Sequence, residues 1–148
     1  MRFAHTVILL CPSFLLFLLA PAVDTATAGE LSPALTVQMA ENADRVPLTV
    51  LVVMRDGVDV KALDRSLHEQ KVGLSLRHRT VIENLREAAN SAQADLVTEL
   101  SAAKSRGEIL AYRAYWIING VRLTADEATI RAIARRADVA IVEPDLHV

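Results

Sequence analysis

Cysteine is almost missing from this 148-residue chain, and its single copy, Cys11, sits in an apolar N-terminal run. The remainder therefore has no disulfide framework, no thiolate ligand and no thiol nucleophile. Phenylalanine is confined in the same way: Phe3, Phe14 and Phe17 all lie in that run, so Tyr112, Tyr115 and Trp116 are the only aromatics beyond it. Neither sign of charge is in excess. Sixteen Lys and Arg against eighteen Asp and Glu give a formal charge of −2, which removes the global field that nucleic-acid or anionic-membrane binding draws on. No apolar run reaches the ~20 residues of a membrane-spanning helix; Val7 to Ala20 is shorter and Pro12 interrupts it.

What that N-terminal run does match is a signal peptide. Arg2 and His5 precede it, and Pro21, small residues and Ala26-Thr27-Ala28 follow it, the small-x-small pattern of a cleavage site. The division expected is a signal peptide over 1–28 cleaved after Ala28, a leader over 29–45 that packs loosely, and one domain over 46–148. The product is secreted or periplasmic. Leu10 before Cys11 does not suit lipoprotein processing. An exported domain with no cross-link has to hold together by packing alone.

Within the leader, Leu31, Leu35 and Met39 recur at helical spacing after Ser32-Pro33, a helix start with Pro at an early position. Val46 to Met54 is nearly continuous aliphatic and β-branched, as a strand in the middle of a sheet requires. Asp59 can cap a helix with the stripe Val60, Leu63 and Leu67, which Gly73 breaks. A longer helix follows, with Val81, Leu85, Ala88, Ala92, Leu96, Leu100 and Ala103 on one face, Gln93 and Glu99 off it, and Gly107 as terminator.

Ile109 to Ile118 reads as the second strand, and Asn119-Gly120 is the dipeptide of a two-residue type I′ hairpin. That turn would set Ile118 against Val121 and Trp116 against Leu123 on one side, with Ile117 against Arg122 and Tyr115 against Thr124 on the other. The first side is apolar and belongs under the helices. The second is mixed and is a candidate docking surface. Thr124-Ala125-Asp126-Glu127 fits a capping box with Thr124 as the cap. The helix after it buries Ile130, Ile133 and Ala134, and Val139 to Val142 forms the last strand. The order predicts an α+β fold: a ferredoxin-like βαββαβ sandwich, a four-stranded antiparallel sheet with helices on one face and an extended first helical region.

No constellation for catalysis accompanies these elements. His68, His78 and His147 lie on or beside polar stretches, no G-x-S-x-G elbow is present, and no H-x-x-x-H or H-E-x-x-H offers metal ligands. Gly-rich phosphate loops are absent, and Tyr115 stands without the basic aromatic signature of a sheet that binds RNA. The expectation is a non-enzyme with no metal and no cofactor, free of nucleic acid and of stable membrane association, acting through a surface and a tail.

Three blocks carry a resemblance to a known family: Val50-Leu51-Val52-Val53 with Val58-Asp59-Val60, Tyr115-Trp116-Ile117-Ile118-Asn119-Gly120-Val121, and Asp138-Val139-Ala140-Ile141-Val142-Glu143-Pro144-Asp145. In this order, from Val46 to Val148, they resemble the propeptide inhibitor domain of subtilisin-like serine proteases, particularly the long-helix form of bacillopeptidase F-type precursors. The last block is the most specific. Leu31-Ser32-Pro33-Ala34-Leu35 is similar to what precedes such propeptides.

The resemblance implies a partner, a subtilisin-like serine protease, bound in cis or in trans. It implies that the open sheet face, with Tyr115, Ile117 and Arg122, packs on two helices of the protease. Glu143 and Asp145 match the acidic positions that cap the N-termini of those helices, where backbone N–H groups attract anions. Leu146, His147 and Val148 match the start of a tail that runs into the substrate cleft as a strand. The sequence ends several residues short of the family's scissile position, and a stand-alone relative with so shortened a tail is expected to act as a folding chaperone more than as a tight inhibitor. Two further readings stay open: the N-terminal prodomain fragment of a subtilisin-like endopeptidase precursor, and a generic ferredoxin-like binding module.

Overall fold

Alternate burial along Leu48–Met54 sets the architecture of the computed structural model, which describes residues 28–145. Leu48, Val50, Val52 and Met54 are buried while Thr49, Leu51 and Val53 are half-buried, the period of two that a strand with one dry face shows. The stretch before Ala28, expected to be a signal peptide, and the tail Leu146 to Val148 lie outside the described residues.

The elements in chain order are β1 (Glu30–Leu31), α1 (Pro33–Glu41), β2 (Leu48–Met54), α2 (Val60–Glu69), α3 (Leu74–Ser105), β3 (Ile109–Tyr115), β4 (Gly120–Ala125), α4 (Glu127–Ala134) and β5 (Val139–Pro144). The sheet runs β1-β5-β2-β4-β3. Neighbours from β5 to β3 are antiparallel, and β1 joins the β5 edge in parallel. The protein is thus α+β with an open, mixed, five-stranded sheet, where four antiparallel strands were expected. The extra strand comes from the segment read as a leader. Ser32 N–H donates to Val142 O at 2.9 Å, so this segment occupies hydrogen-bonding groups that would leave β5 an open edge.

The same segment does not pack loosely. Ser32 caps α1 by accepting from Leu35 N–H at 3.2 Å, and Pro33 takes the first helical position, where its missing donor costs nothing. Leu35 is fully buried and Met39 nearly so, in one cluster with Val50, Val52, Leu96, Leu100, Val121, Leu123, Ile130, Val139 and Val142. Helices α1, α3 and α4 therefore share one core, against the side of the sheet that carries Val50, Val52, Val121 and Leu123.

Helix α3 is 32 residues, about 48 Å at 1.5 Å per residue, and starts at Leu74 instead of near Val81. Its buried positions, Ala89, Gln93, Leu96, Leu100 and Ala103, fall from its midpoint onward. The first half extends past the sheet and carries α2, which is capped by Asp59 as expected and buries no residue fully. At the far end Gly107 adopts φ 77°, and Glu108 N–H reaches back to Ala103 O at 3.0 Å; this left-handed closure favours glycine. Helix α4 is capped by Asp126, which accepts from Thr129 N–H at 2.7 Å. Thr124 cannot be the cap because Ala125 prolongs β4, pairing with Leu48 and Ile109.

Where α4 hands over to β5, Arg136 grips Asp138 with two hydrogen bonds of 2.9 and 2.6 Å and also meets Glu99 of α3. The hydrogen bonds from Arg136 hold the Asp138 carboxyl below its ordinary pKa, against the opposing effect of partial burial. The backbone and side chain of Thr129 do the same to Asp126.

Two outcomes follow from this packing. Leu35→Ala is expected to cost about 2–5 kcal/mol, the range for emptying a full leucine site; urea unfolding checks it, and a loss under 1 kcal/mol would show the N-terminal segment to be dispensable. Because Asp126 and Asp138 are depressed in the folded state, their contribution is complete above about pH 4, the ordinary carboxylate value, and fades as pH falls through the lowered folded-state values. A D126N/D138N variant should therefore lose less stability between pH 5 and pH 2 than the unaltered protein; equal losses in urea titrations contradict it.

Candidate functional site: the open face of the sheet

The side of the sheet opposite the core carries no helix among the described residues. Register sorts its side chains into three cross-sheet rows. Ile141, Val53, Gly120 and Tyr115 form one; Glu143, Leu51, Arg122 and Arg113 form the second; Thr49, Thr124 and Ala111 form the third. In the third row the Thr49 and Thr124 hydroxyls meet at 3.0 Å, a cross-strand pair that stiffens the sheet on its wet side.

Between the first two rows lies a shallow depression of about 400 Å³, lined by Leu51, Tyr115, Ile118, Arg122 and Asp145. Gly120 stands opposite Tyr115 in the first row. A Cβ there would stand 2.8 Å from Val52 O and 3.5 Å from a Leu51 methyl, so close strand packing, not turn geometry, demands the glycine. Gly120 is the first residue of β4 and its φ is not positive.

This overturns the expected hairpin. A type I′ turn needs positive φ at both central residues, whereas only Asn119 has it, at 43°. The connection is the four-residue turn Trp116 to Asn119, closed by Asn119 N–H to Trp116 O at 3.3 Å. Tyr115 consequently faces Gly120, and Tyr112 faces Leu123. Tyr115 and Arg122 keep their expected places on the open face. Ile117 does not pair with Arg122; it lies in the turn, 64% exposed, beside the exposed Ile118. Trp116 leaves the sheet and sits under Arg86 of α3, with the guanidinium 4.9 Å from the ring centre.

Gln93 was expected on the polar side of α3 and is instead 5% exposed. Its amide donates to Tyr115 O at 3.1 Å and Asn119 Oδ1 at 3.0 Å, while the Asn119 amide donates to Asp56 O. One buried side chain thereby fixes the turn, the end of β3 and, through Asn119, the chain beyond β2.

The charged residues divide unevenly. Arg122 Nε donates to Asp145 Oδ2 at 2.6 Å, which raises the guanidinium pKa further. Arg113 lies directly opposite Arg122 and stacks on Tyr115, 5.3 Å from its ring centre. The Glu143 carboxylate, unlike its backbone, makes no hydrogen bond or ion pair among the described residues. Of the expected contacts, Tyr115, Arg122, Glu143 and Asp145 are thus brought to one face and Ile117 to its rim, whereas Leu146, His147 and Val148 lie outside the described residues. Ala28 is exposed, and its carbonyl accepts from Arg55 at 3.4 Å. Leu51, Val53 and Ile141 belong to the face as much as Tyr115 does. The alternation in β2 marks the first two, and none was singled out from sequence.

No family model, characterised protein or solved structure matches the chain significantly. The face itself is therefore the ground for any functional reading. Chemically it offers apolar side chains at the centre, paired charges around them and hydroxyls at one end. Among the described residues no group of three His, Cys, Asp or Glu side chains is placed to hold a metal ion, and no helix is long and apolar enough to cross a membrane.

Gln93→Ala is expected to lower stability by about 1–3 kcal/mol, since it strips partners from buried polar groups, and to broaden the amide resonances of the turn Trp116 to Asn119. Sharp, unshifted resonances in that turn would remove Gln93 as its anchor.

Proposed function

We propose that this protein is an exported inhibitor and chaperone-type domain for a subtilisin-like serine protease, which it binds with the open face of its sheet. The observation that carries the reading is a mixed face bearing Leu51, Val53, Tyr115, Ile141 and Arg122 with no helix over it. Surfaces of this kind, apolar at the centre and polar at the rim, are what a partner covers. The strand order β5-β2-β4-β3, with α3 and α4 as the crossovers, supports a ferredoxin-like sheet to which β1 is an addition.

Binding would be stabilising in one direction. A domain that binds the folded protease and not its unfolded chain shifts that protease towards its folded state by mass action. The same contact, with the continuation of the chain at Leu146 to Val148 laid along a substrate cleft as an added strand, would slow hydrolysis. The protein needs no reactive group of its own for either effect.

Mixing the protein with a subtilisin-like protease should slow hydrolysis of a chromogenic peptide or speed recovery of activity from denatured protease. Leu51→Glu, at the centre of the face and outside the core, should weaken either effect by about tenfold or more, the scale of a buried central contact. Absence of both effects in the unaltered protein, across several proteases of this class, would refute the proposal.

A further inference from the structure

The second row of the open face contains an apparent fault. Arg113 and Arg122 stand directly opposite each other on β3 and β4, and like charges in that relation destabilise a strand pair. Arg113 is met by the Tyr115 ring. Arg122 is met by Asp145, which reaches it from beyond the end of β5, across β2. Glu143 is nearer by register, in the same row with only Leu51 between, yet Asp145 is the residue that pairs.

The backbone explains why. Pro144 has no N–H, but alternate residues of an antiparallel strand face opposite neighbours, and its nitrogen is turned to the β1 side of β5, away from β2. Asp145 N–H therefore donates to Thr49 O at 3.1 Å, and the ladder to β2 runs on past the proline. The side chain of Asp145 then points along the open face to Arg122, with 28% of it exposed against 38% for Arg122. One residue is held by two bonds to two different strands.

We infer that the Arg122–Asp145 pair is an internal clasp, which fixes the chain at the end of β5 onto the open face, relieves the Arg113–Arg122 repulsion, and leaves Glu143 as the carboxylate available to a partner. Asp145 and Arg122 are positioning residues. The assignment deepens the proposed protease-binding reading and rests on it only where a partner is concerned. Within the free protein the clasp stands on its own.

The test has one arm for each part. In the free protein, the hydrogen-exchange protection factor of the Asp145 amide should fall by about two- to fivefold in Arg122→Gln, the population change an exposed ion pair can carry. In Asp145→Ala the amide of residue 145 should lose protection to the same extent, and the double variant should lose no more than either single one. Arg113→Gln placed on Asp145→Ala should restore part of the lost urea midpoint, which a merely local role for Asp145 would not produce. Additive losses, or none, together with no rescue by Arg113→Gln, overturn the clasp whatever the protein binds.

In the second arm, inhibition or refolding assays with a subtilisin-like protease should respond more to Glu143→Gln than to Asp145→Ala. An Asp145→Ala effect equal to or larger than that of Glu143→Gln overturns the assignment of Glu143. If the unaltered protein does not act on any such protease, the functional reading fails and so does the role of Glu143 within it, while the exchange data still decide the clasp.

Discussion

Everything in this fold depends on β2 being dry on one side only. Leu48, Val50, Val52 and Met54 point into a core built from three helices, and Thr49, Leu51 and Val53 point away from it. Because β2 is central, hydrogen-bonded to β4 on one side and β5 on the other, its register is imposed on the whole sheet. A slip of one residue would exchange the two sets and place threonine in the core. That constraint makes one face a packed interior and obliges the other to be a surface.

The surface so produced is organised by few interactions. Gly120 lets β4 approach β2 closely, Gln93 reaches from α3 to hold the turn beside Tyr115, and Asp145 returns across the sheet to Arg122. Each ties the open face to something rigid: the central strand, the longest helix, or the last strand. The aromatics show the same division. Tyr112 and Trp116 lie beneath Lys104 and Arg86 of α3, on the covered side, and Tyr115 alone is held on the open side by Arg113 of its own strand. A cation over an aromatic ring contributes about 0.5–1 kcal/mol at exposed sites, enough to bias side-chain position without anchoring it.

The residues that were legible in the sequence are those whose pattern is local. The apolar alternation of β2, the caps Ser32 and Asp59, and the core residues Ile130, Ile133, Leu96 and Leu100 follow from spacing alone. What escaped depends on contacts distant in the chain. Asn119-Gly120 looks like a two-residue turn, but Gly120 is required by the carbonyl of Val52, so the hairpin lengthens and its register moves. Thr124-Ala125-Asp126-Glu127 looks like a capping box, but the cap falls two residues later at Asp126, because pairing with Leu48 keeps Ala125 in the strand. Gln93 reads as polar surface until Tyr115 and Asn119 are brought to it. Glu30–Leu31 is too short to register as a strand without the β5 edge beside it. On the open face, Tyr115 and Arg122 were found because an even shift of register preserves the face, whereas Ile117 was misplaced because the longer turn consumes it.

The aromatics also supply the most direct measurement. Hydroxyl-radical labelling with and without a subtilisin-like protease reads Tyr112, Tyr115 and Trp116 separately. Docking through the open face predicts that Tyr115 loses reactivity in the complex while Tyr112 and Trp116 keep theirs. Unchanged labelling of Tyr115, with protection at Trp116 or Tyr112 instead, would contradict the account.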